Sequence, residues 1–125
     1  MKSILAVDDS ATIRALLSNA LRSEGHEVAL ANDGCQALEH LRGQALAGLV
    51  PDLMITDINM PRMDGFELIE SVRRDERLRA MPILVLTTED SPEKRQRARS
   101  AGASGWIIKP FSPDRVSSAI RLVCP

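Results

Sequence analysis

Five short apolar runs, each followed by a stretch with helical spacing, restrict this chain to a narrow set of folds. Residues 4–7 (Ile-Leu-Ala-Val), 53–56 (Leu-Met-Ile-Thr) and 81–86 (Met-Pro-Ile-Leu-Val-Leu) are almost continuously apolar. Such runs suit strands buried on both faces, because helices cover a parallel sheet from either side. Residues 26–31 alternate more and read as an edge strand, and a fifth short strand runs through Trp106, Ile107 and Ile108. Between the strands the period changes. Ile13, Leu16, Leu17, Ala20 and Leu21 recur at i, i+3, i+4, i+7 and i+8, the stripe of an amphipathic helix ended by Gly25. Asn32-Asp33-Gly34 opens a second helix through Ala37, Leu38 and Leu41, and residues 43–50 either extend it or form a loop.

Asp64 caps a third helix with Phe66, Ile69 and Val72 on one face; its far end, residues 73–79, mixes both signs of charge and reads as solvated surface. Ser91-Pro92-Glu93 starts a fourth helix with Pro92 in its first turn. Ser112-Pro113-Asp114 starts a fifth, with Val116, Ala119, Ile120 and Val123 at core spacing. This alternation predicts an α/β fold, a five-stranded parallel sheet with helices on both faces. Crossover handedness leaves only a few doubly wound strand orders.

All ten segments fit one domain over residues 1–125. A net charge of −1 removes the electrostatic basis for nucleic-acid binding. Phe66, Trp106 and Phe111 are the only aromatics, so the core is aliphatic and a base-stacking platform is excluded. Cys35 and Cys124 form no CxxC pattern, and no signal peptide or membrane span is legible, which predicts a reduced, cytoplasmic protein with no membrane partner.

Parallel strands bring their carboxyl ends to one rim, where open sheets place ligands. Just past strands one, three, four and five stand Asp8 and Asp9, Asp57, Thr87 and Lys109. Singly, each has an ordinary explanation. Asp8-Asp9 and Asp57 suit helix caps or turns, Thr87 a strand-end hydroxyl satisfying backbone, and Lys109 a surface lysine. Jointly they do not. Three carboxylates on one rim repel unless a cation sits among them. Oxygen-only donors suit a hard divalent ion such as Mg²⁺, which takes few protein carboxylates. A hydroxyl and an ammonium beside that ion describe a pocket for a transferring phosphoryl group. With no Ser-His or Cys-His pair in competition, one carboxylate is left as the nucleophile. Met54, Met60, Met63 and Met81 read as gap-fillers, and His26 and His40 lack ligand partners.

Four motifs follow in order along nearly the whole chain: Val7-Asp8-Asp9-Ser10, the run Asp57-Ile-Asn59-Met-Pro61-Arg-Met-Asp64-Gly65, Leu86-Thr87-Thr88 and Lys109-Pro110-Phe111. Together they resemble a receiver domain of bacterial two-component signalling, similar in size to the single-domain chemotaxis response regulators. The resemblance implies a flavodoxin-like (βα)5 fold with strand order 2-1-3-4-5. It implies that Asp57 is the phosphoacceptor, taking its phosphoryl group from the phosphohistidine of a sensor kinase or histidine phosphotransfer protein and later autodephosphorylating. Asp9 and Asp57 would ligate Mg²⁺ directly (Mn²⁺ substituting), Asp8 largely through water and Asn59 through its backbone carbonyl. Lys109 would pair with the phosphoryl oxygens, and Thr87 would hydrogen-bond to them and carry the switch. Asn59 and Glu89 would flank the hydrolytic water. Such a chain is a signalling phosphoacceptor and not an enzyme with an external substrate.

Two positions depart from the family pattern. Trp106 stands where Tyr, Phe or His is usual, and Thr88 where a small residue is common, narrowing access to the phosphoryl group. By strand period Trp106 faces away from Lys109, toward the fourth helix, partly exposed and with an indole N–H that needs a partner if buried. The fourth helix carries Lys94, Arg95, Arg97 and Arg99, with only Ala98 and Ala101 as core contacts. It would be mobile and would form, with strand five and helix five, an output face for an acidic protein partner. Two other classes fit less well. A flavodoxin-like cofactor binder needs a Ser/Thr/Gly-rich loop where Asp8-Asp9 stands, and an aspartate-nucleophile phosphatase needs a D-x-D arrangement there.

Overall fold

A computed structural model describes residues 1–125. The elements alternate strictly: β1 (Ser3–Val7), α1 (Ala11–Ser23), β2 (Glu27–Ala31), α2 (Gly34–Leu46), β3 (Leu53–Thr56), α3 (Gly65–Arg74), β4 (Ile83–Thr87), α4 (Pro92–Ala101), β5 (Gly105–Ile108) and α5 (Pro113–Val123). All five strands are parallel, in the order β2-β1-β3-β4-β5. No helix is long and apolar enough to cross a membrane.

Continuous apolar runs are needed because the sheet has two cores, fed by alternate residues of each strand. Leu5, Val7, Met54, Ile83 and Val85 point to one face, where α2, α3 and α4 supply Leu38, Leu41, Phe66, Ile69, Val72 and Ala98. Ile4, Ala6, Leu53, Ile55, Leu84 and Leu86 point to the other, meeting Leu17 and Leu21 of α1 and Val116 and Ile120 of α5. Each large aliphatic side chain so buried contributes about 1.5–3 kcal/mol against exposure.

Every helix begins on a side-chain cap: Ser10, Asp33, Asp64, Ser91 and Ser112 each accept a backbone N–H three residues on. Asp64 and Glu67 complete a reciprocal capping box. A single such cap is worth about 1 kcal/mol. Residues 43–50 divide: α2 runs on to Leu46, and Gly48, at φ 76°, turns the chain out of it. The β4 ladder starts at Ile83, after Pro82, whose carbonyl accepts the Met54 N–H at 3.0 Å.

Two expectations are corrected. Leu16 is 51% exposed, since the buried face of α1 is narrower than the five-position stripe and takes Leu17, Ser18 and Leu21. Residues 73–79 are not simply solvated surface: Leu78 is fully buried, and the Arg73 guanidinium donates to the carbonyls of Gly102 (2.8 and 3.0 Å), Arg79 (2.9 Å) and Met81 (2.7 Å). Charged side chains can bury their stems and spend their donors on backbone, which composition does not reveal.

Candidate functional site

The residues just beyond the strands are held by one further ladder bond each. Asp8 N–H donates to Ala31 O (3.1 Å), Asp57 N–H to Val7 O (3.0 Å) and Lys109 N–H to Thr87 O (2.8 Å). The side chains of the rim therefore project from fixed backbone. Lys109 Nζ lies 2.6 Å from Asp8 Oδ2 and 2.9 Å from Asp57 Oδ2, bridging two carboxylates that are 1% and 8% exposed. Their other oxygens accept backbone N–H groups, Asp8 Oδ1 from Ser10 (2.9 Å) and Asp57 Oδ1 from Ile58 (2.6 Å). Burial pulls the Lys109 ammonium toward neutrality, but the hydrogen bonds and charges of Asp8 and Asp57 outweigh it, and its pKa stands above the ordinary lysine value.

Asp9 joins this pair from the exposed side, and one carboxylate oxygen from each of Asp8, Asp9 and Asp57 lies within 4.8 Å of the others. Three oxygen donors in that space fit a hard cation such as Mg²⁺, which needs few protein ligands and keeps water on its remaining positions. Thr87 is fully buried; its Oγ1 accepts the Glu89 N–H at 3.3 Å, leaving its own proton to donate. Thr88 is exposed beside it. Asn59 Nδ2 donates to Glu89 Oε1 at 2.9 Å, and Lys94 Nζ approaches the same oxygen at 3.0 Å. The Asn59 amide first, and then Lys94, hold the Glu89 carboxyl below its ordinary range.

The loop from Asn59 to Asp64 is braced in ways the motifs do not announce. Gly65 N–H donates to Ile58 O at 2.8 Å, and a Cβ at Gly65 would overlap the Asp57 carbonyl oxygen. Only glycine allows that approach. Gly34 N–H donates to Met63 O at 3.2 Å, and the Arg62 guanidinium pairs with the buried Asp33. Arg14 Nη1 donates to Asp8 O at 2.7 Å. Glycine after Asp64 was a readable signal; the Arg14 and Arg62 contacts had none.

Trp106 is half-buried on the face of β5 opposite Lys109 and packs against the α2–α3–α4 core. Its Nε1 is buried and has no hydrogen-bond partner within the protein. The ring borders a cavity of about 220 Å³ lined by Arg95, Ala98, Arg99 and Ala103 among others, and Arg95 Cζ is 6.0 Å from the ring centroid. Arg97 turns the other way and stacks on Phe66 at 4.0 Å. The four basic residues of α4 therefore do not form one surface: Lys94 reaches the site, Arg97 covers the α3 side, and Arg95 and Arg99 border the Trp106 cavity.

Strand order 2-1-3-4-5 with an acidic cluster at the strand ends defines a flavodoxin-like fold of the receiver type. The sequence profile described as "Response regulator receiver domain" matches residues 4–121, and the chain belongs to that family. Within it, the chain is 37% identical over 121 residues to the chemotaxis protein CheY1 of Helicobacter pylori, covering 96% of this chain and 94% of that one. It is equally identical, over the same coverage, to the chemotaxis protein CheY of Pseudomonas aeruginosa. Among solved structures, the chemotaxis protein CheY4 of Vibrio cholerae superposes with a TM-score of 0.89 at 43% identity, with 98% of each chain covered.

Proposed function

We propose that residues 1–125 are a single phosphoacceptor domain, a switch that takes a phosphoryl group on Asp57 from the phosphohistidine of a sensor kinase or histidine phosphotransfer protein. The observation that carries this reading is the Lys109 ammonium set between the Asp8 and Asp57 carboxylates, with Asp9 alongside. Asp9 and Asp57, with Asp8 through water and the Asn59 carbonyl, are the residues that would hold Mg²⁺ or Mn²⁺. Bound there, the ion supplies the positive charge that lets carboxylates and an anionic phosphoryl group share one pocket.

Asp57 attacks phosphorus through a carboxylate oxygen. The donor's P–N bond breaks, its electron pair stays on the imidazole nitrogen, and an acyl phosphate forms. Lys109 exchanges Asp57 for a phosphoryl oxygen, and the Thr87 hydroxyl donates to another, which draws the β4–α4 loop inward. In the reverse limb water attacks phosphorus, the bond to Asp57 breaks with its electron pair returning to the carboxylate, and inorganic phosphate leaves. Asn59, Thr88 and Glu89 line the approach and set that rate. Nothing here turns over an external substrate.

The switched state is read at the face of α4, β5 and α5, where Trp106, Arg95 and Arg99 suit an acidic protein partner. The relatives named above are chemotaxis proteins, and a motility target in the cytoplasm is the reading extended to this chain. Nucleic acid and membrane are not among its partners. Incubation with acetyl phosphate and Mg²⁺ should add one phosphoryl group, mapped to Asp57 after hydroxylamine cleavage or borohydride reduction. Chelation or Asp57→Ala should abolish it; undiminished labelling of Asp57→Ala at no mapped second site would overturn the reading.

A further inference from the structure

We propose that Lys94 is a positioning residue for the phosphoryl chemistry: it holds Glu89 against Asn59 as a latch across the mouth of the Asp57 site. The inference rests on the phosphoacceptor reading and adds a residue to it. Glu89 Oε1 receives two donors from two different elements, Asn59 Nδ2 at 2.9 Å and Lys94 Nζ at 3.0 Å. Asn59 lies two residues past Asp57, and Glu89 two residues past Thr87. Their strands are neighbours, with Thr56 opposite Val85, so the bridge spans the two loops that rise on either side of the acceptor. Beneath it Asp57 is 8% exposed and Thr87 not at all.

Glu89 reaches Asn59 from a loop with few other ties, and one of its own neighbours, Asp90, is drawn outward to Arg95 at 3.8 Å. Lys94 is fixed at the opposite end. Its backbone N–H is capped by Ser91 Oγ at 3.3 Å in the first turn of α4, and from there its ammonium turns back toward the loop. The two side chains remain 44% and 25% exposed, so the pair is partly screened and responsive to salt. An ion pair of that exposure shifts an equilibrium roughly two- to five-fold at low ionic strength. The latch is thus weak enough to open at every turnover. It narrows one passage used in both half-reactions, by the phosphodonor on the way to Asp57 and by water on the way to the acyl phosphate.

The test compares wild type, Lys94→Ala, Lys94→Arg, Glu89→Gln and the Lys94→Ala/Glu89→Gln double variant, with folding verified by circular dichroism. Phosphorylation by acetyl phosphate and subsequent hydrolysis are followed by intact mass at low and high salt. Lys94→Ala should speed both processes by roughly two- to five-fold at low salt, the range of an exposed pair. Lys94→Arg should restore the wild-type rates. In the Glu89→Gln background Lys94→Ala should change nothing further, and high salt should bring wild type to the Lys94→Ala rates. Mg²⁺ affinity should not move, since neither side chain belongs to the acidic cluster. Slower capture in Lys94→Ala would show that its charge attracts the donor, and unchanged rates would make it plain surface; either overturns the latch while leaving Asp57 as acceptor. An unlabelled wild-type chain overturns both.

Discussion

The Arg62 guanidinium pairs with the Asp33 carboxylate, Nε to Oδ2 at 2.8 Å, and so ties the loop after Asp57 to the first turn of α2. The arrangement is costly on one side and needed on the other. Arg62 sits at φ 66°, where a side chain costs about 1–2 kcal/mol. Asp33, 3% exposed, also caps α2 through the Gln36 N–H at 2.8 Å.

Removing the guanidinium leaves a buried carboxylate with only backbone donors. Arg62→Ala should therefore lower stability, by less than the loss of a fully buried pair because the Arg62 side chain is itself 66% exposed. Arg62→Gly loses the same pair but relieves the left-handed backbone, offset by glycine's greater freedom in the unfolded chain. Urea melts should place it between wild type and Arg62→Ala. Equal losses would mean that the positive φ carries no strain at this position.

The same pair sets an acid limb. The Gln36 N–H, against the opposing effect of burial, and then Arg62 hold the Asp33 carboxyl below its ordinary value. A carboxyl depressed in the folded state contributes stability that is complete above its unfolded pKa of about 3.9 and is lost as pH falls through the lower folded value. The gap between wild type and Arg62→Ala should hold from neutrality to about pH 4 and close below it. A gap that persists in strong acid would assign it to packing of the arginine stem.

Asp8 and Asp9 are adjacent in sequence and opposite in consequence. Asp8 is buried, receives Lys109 Nζ at 2.6 Å and accepts the Ser10 N–H at the start of α1. Asp9 is exposed and contributes its charge to a crowded cluster. Without metal, Asp9→Ala should be as stable as wild type or more so, because it removes one of several like charges. Asp8→Ala should lose about 1–3 kcal/mol, since Lys109 keeps only Asp57 and one backbone donor is left unmet. Adding Mg²⁺ should raise the urea midpoint of wild type and leave that of Asp9→Ala nearly unmoved. A marked loss of metal-free stability in Asp9→Ala would reveal a structural partner for that carboxylate.

What was legible in the chain followed from where partners come from. Strands buried on both faces announce themselves as unbroken apolar runs, and parallel packing carries Asp8, Asp9, Asp57, Thr87 and Lys109 to one rim without further information. The strand order came from resemblance to a family and not from the pattern, because crossover rules leave more than one doubly wound order. Arg62 with Asp33, Arg73 with Gly102, and Lys94 with Glu89 were illegible for a common reason. In each a long cationic side chain can reach many acceptors from one backbone position, and for Arg62 and Arg73 the partner's approach is decided only after the helices settle on the sheet. The width of the α1 stripe failed on similar grounds: period tells which residues share a side, while the neighbours decide how much of that side is covered, and Leu16 is left outside.

Trp106 carries the conflict that the sequence foretold and the structure leaves open: its ring is half inside the α2–α3–α4 core, and its N–H is buried without a partner. An orphaned buried donor costs about 1–3 kcal/mol, while trimming indole to phenyl forfeits apolar contact of comparable worth. Trp106→Phe should accordingly change stability by less than about 1 kcal/mol, although large core residues usually lose several on truncation. Thr87 and Trp106 are on adjacent strands, and an inward pull on the β4–α4 loop alters the space the cavity provides beside the ring. Because this is the one tryptophan in the chain, its emission reports the event directly. Mg²⁺ with beryllofluoride, a mimic of the phosphoryl group, should shift emission or acrylamide quenching in wild type, and Thr87→Ala should blunt the response. Trp106→Phe should still be labelled at Asp57 at close to the wild-type rate. A spectrum unmoved at saturating beryllofluoride, in a chain that labels normally, would make Trp106 static packing and would place the path from Asp57 to the α4–β5 face elsewhere.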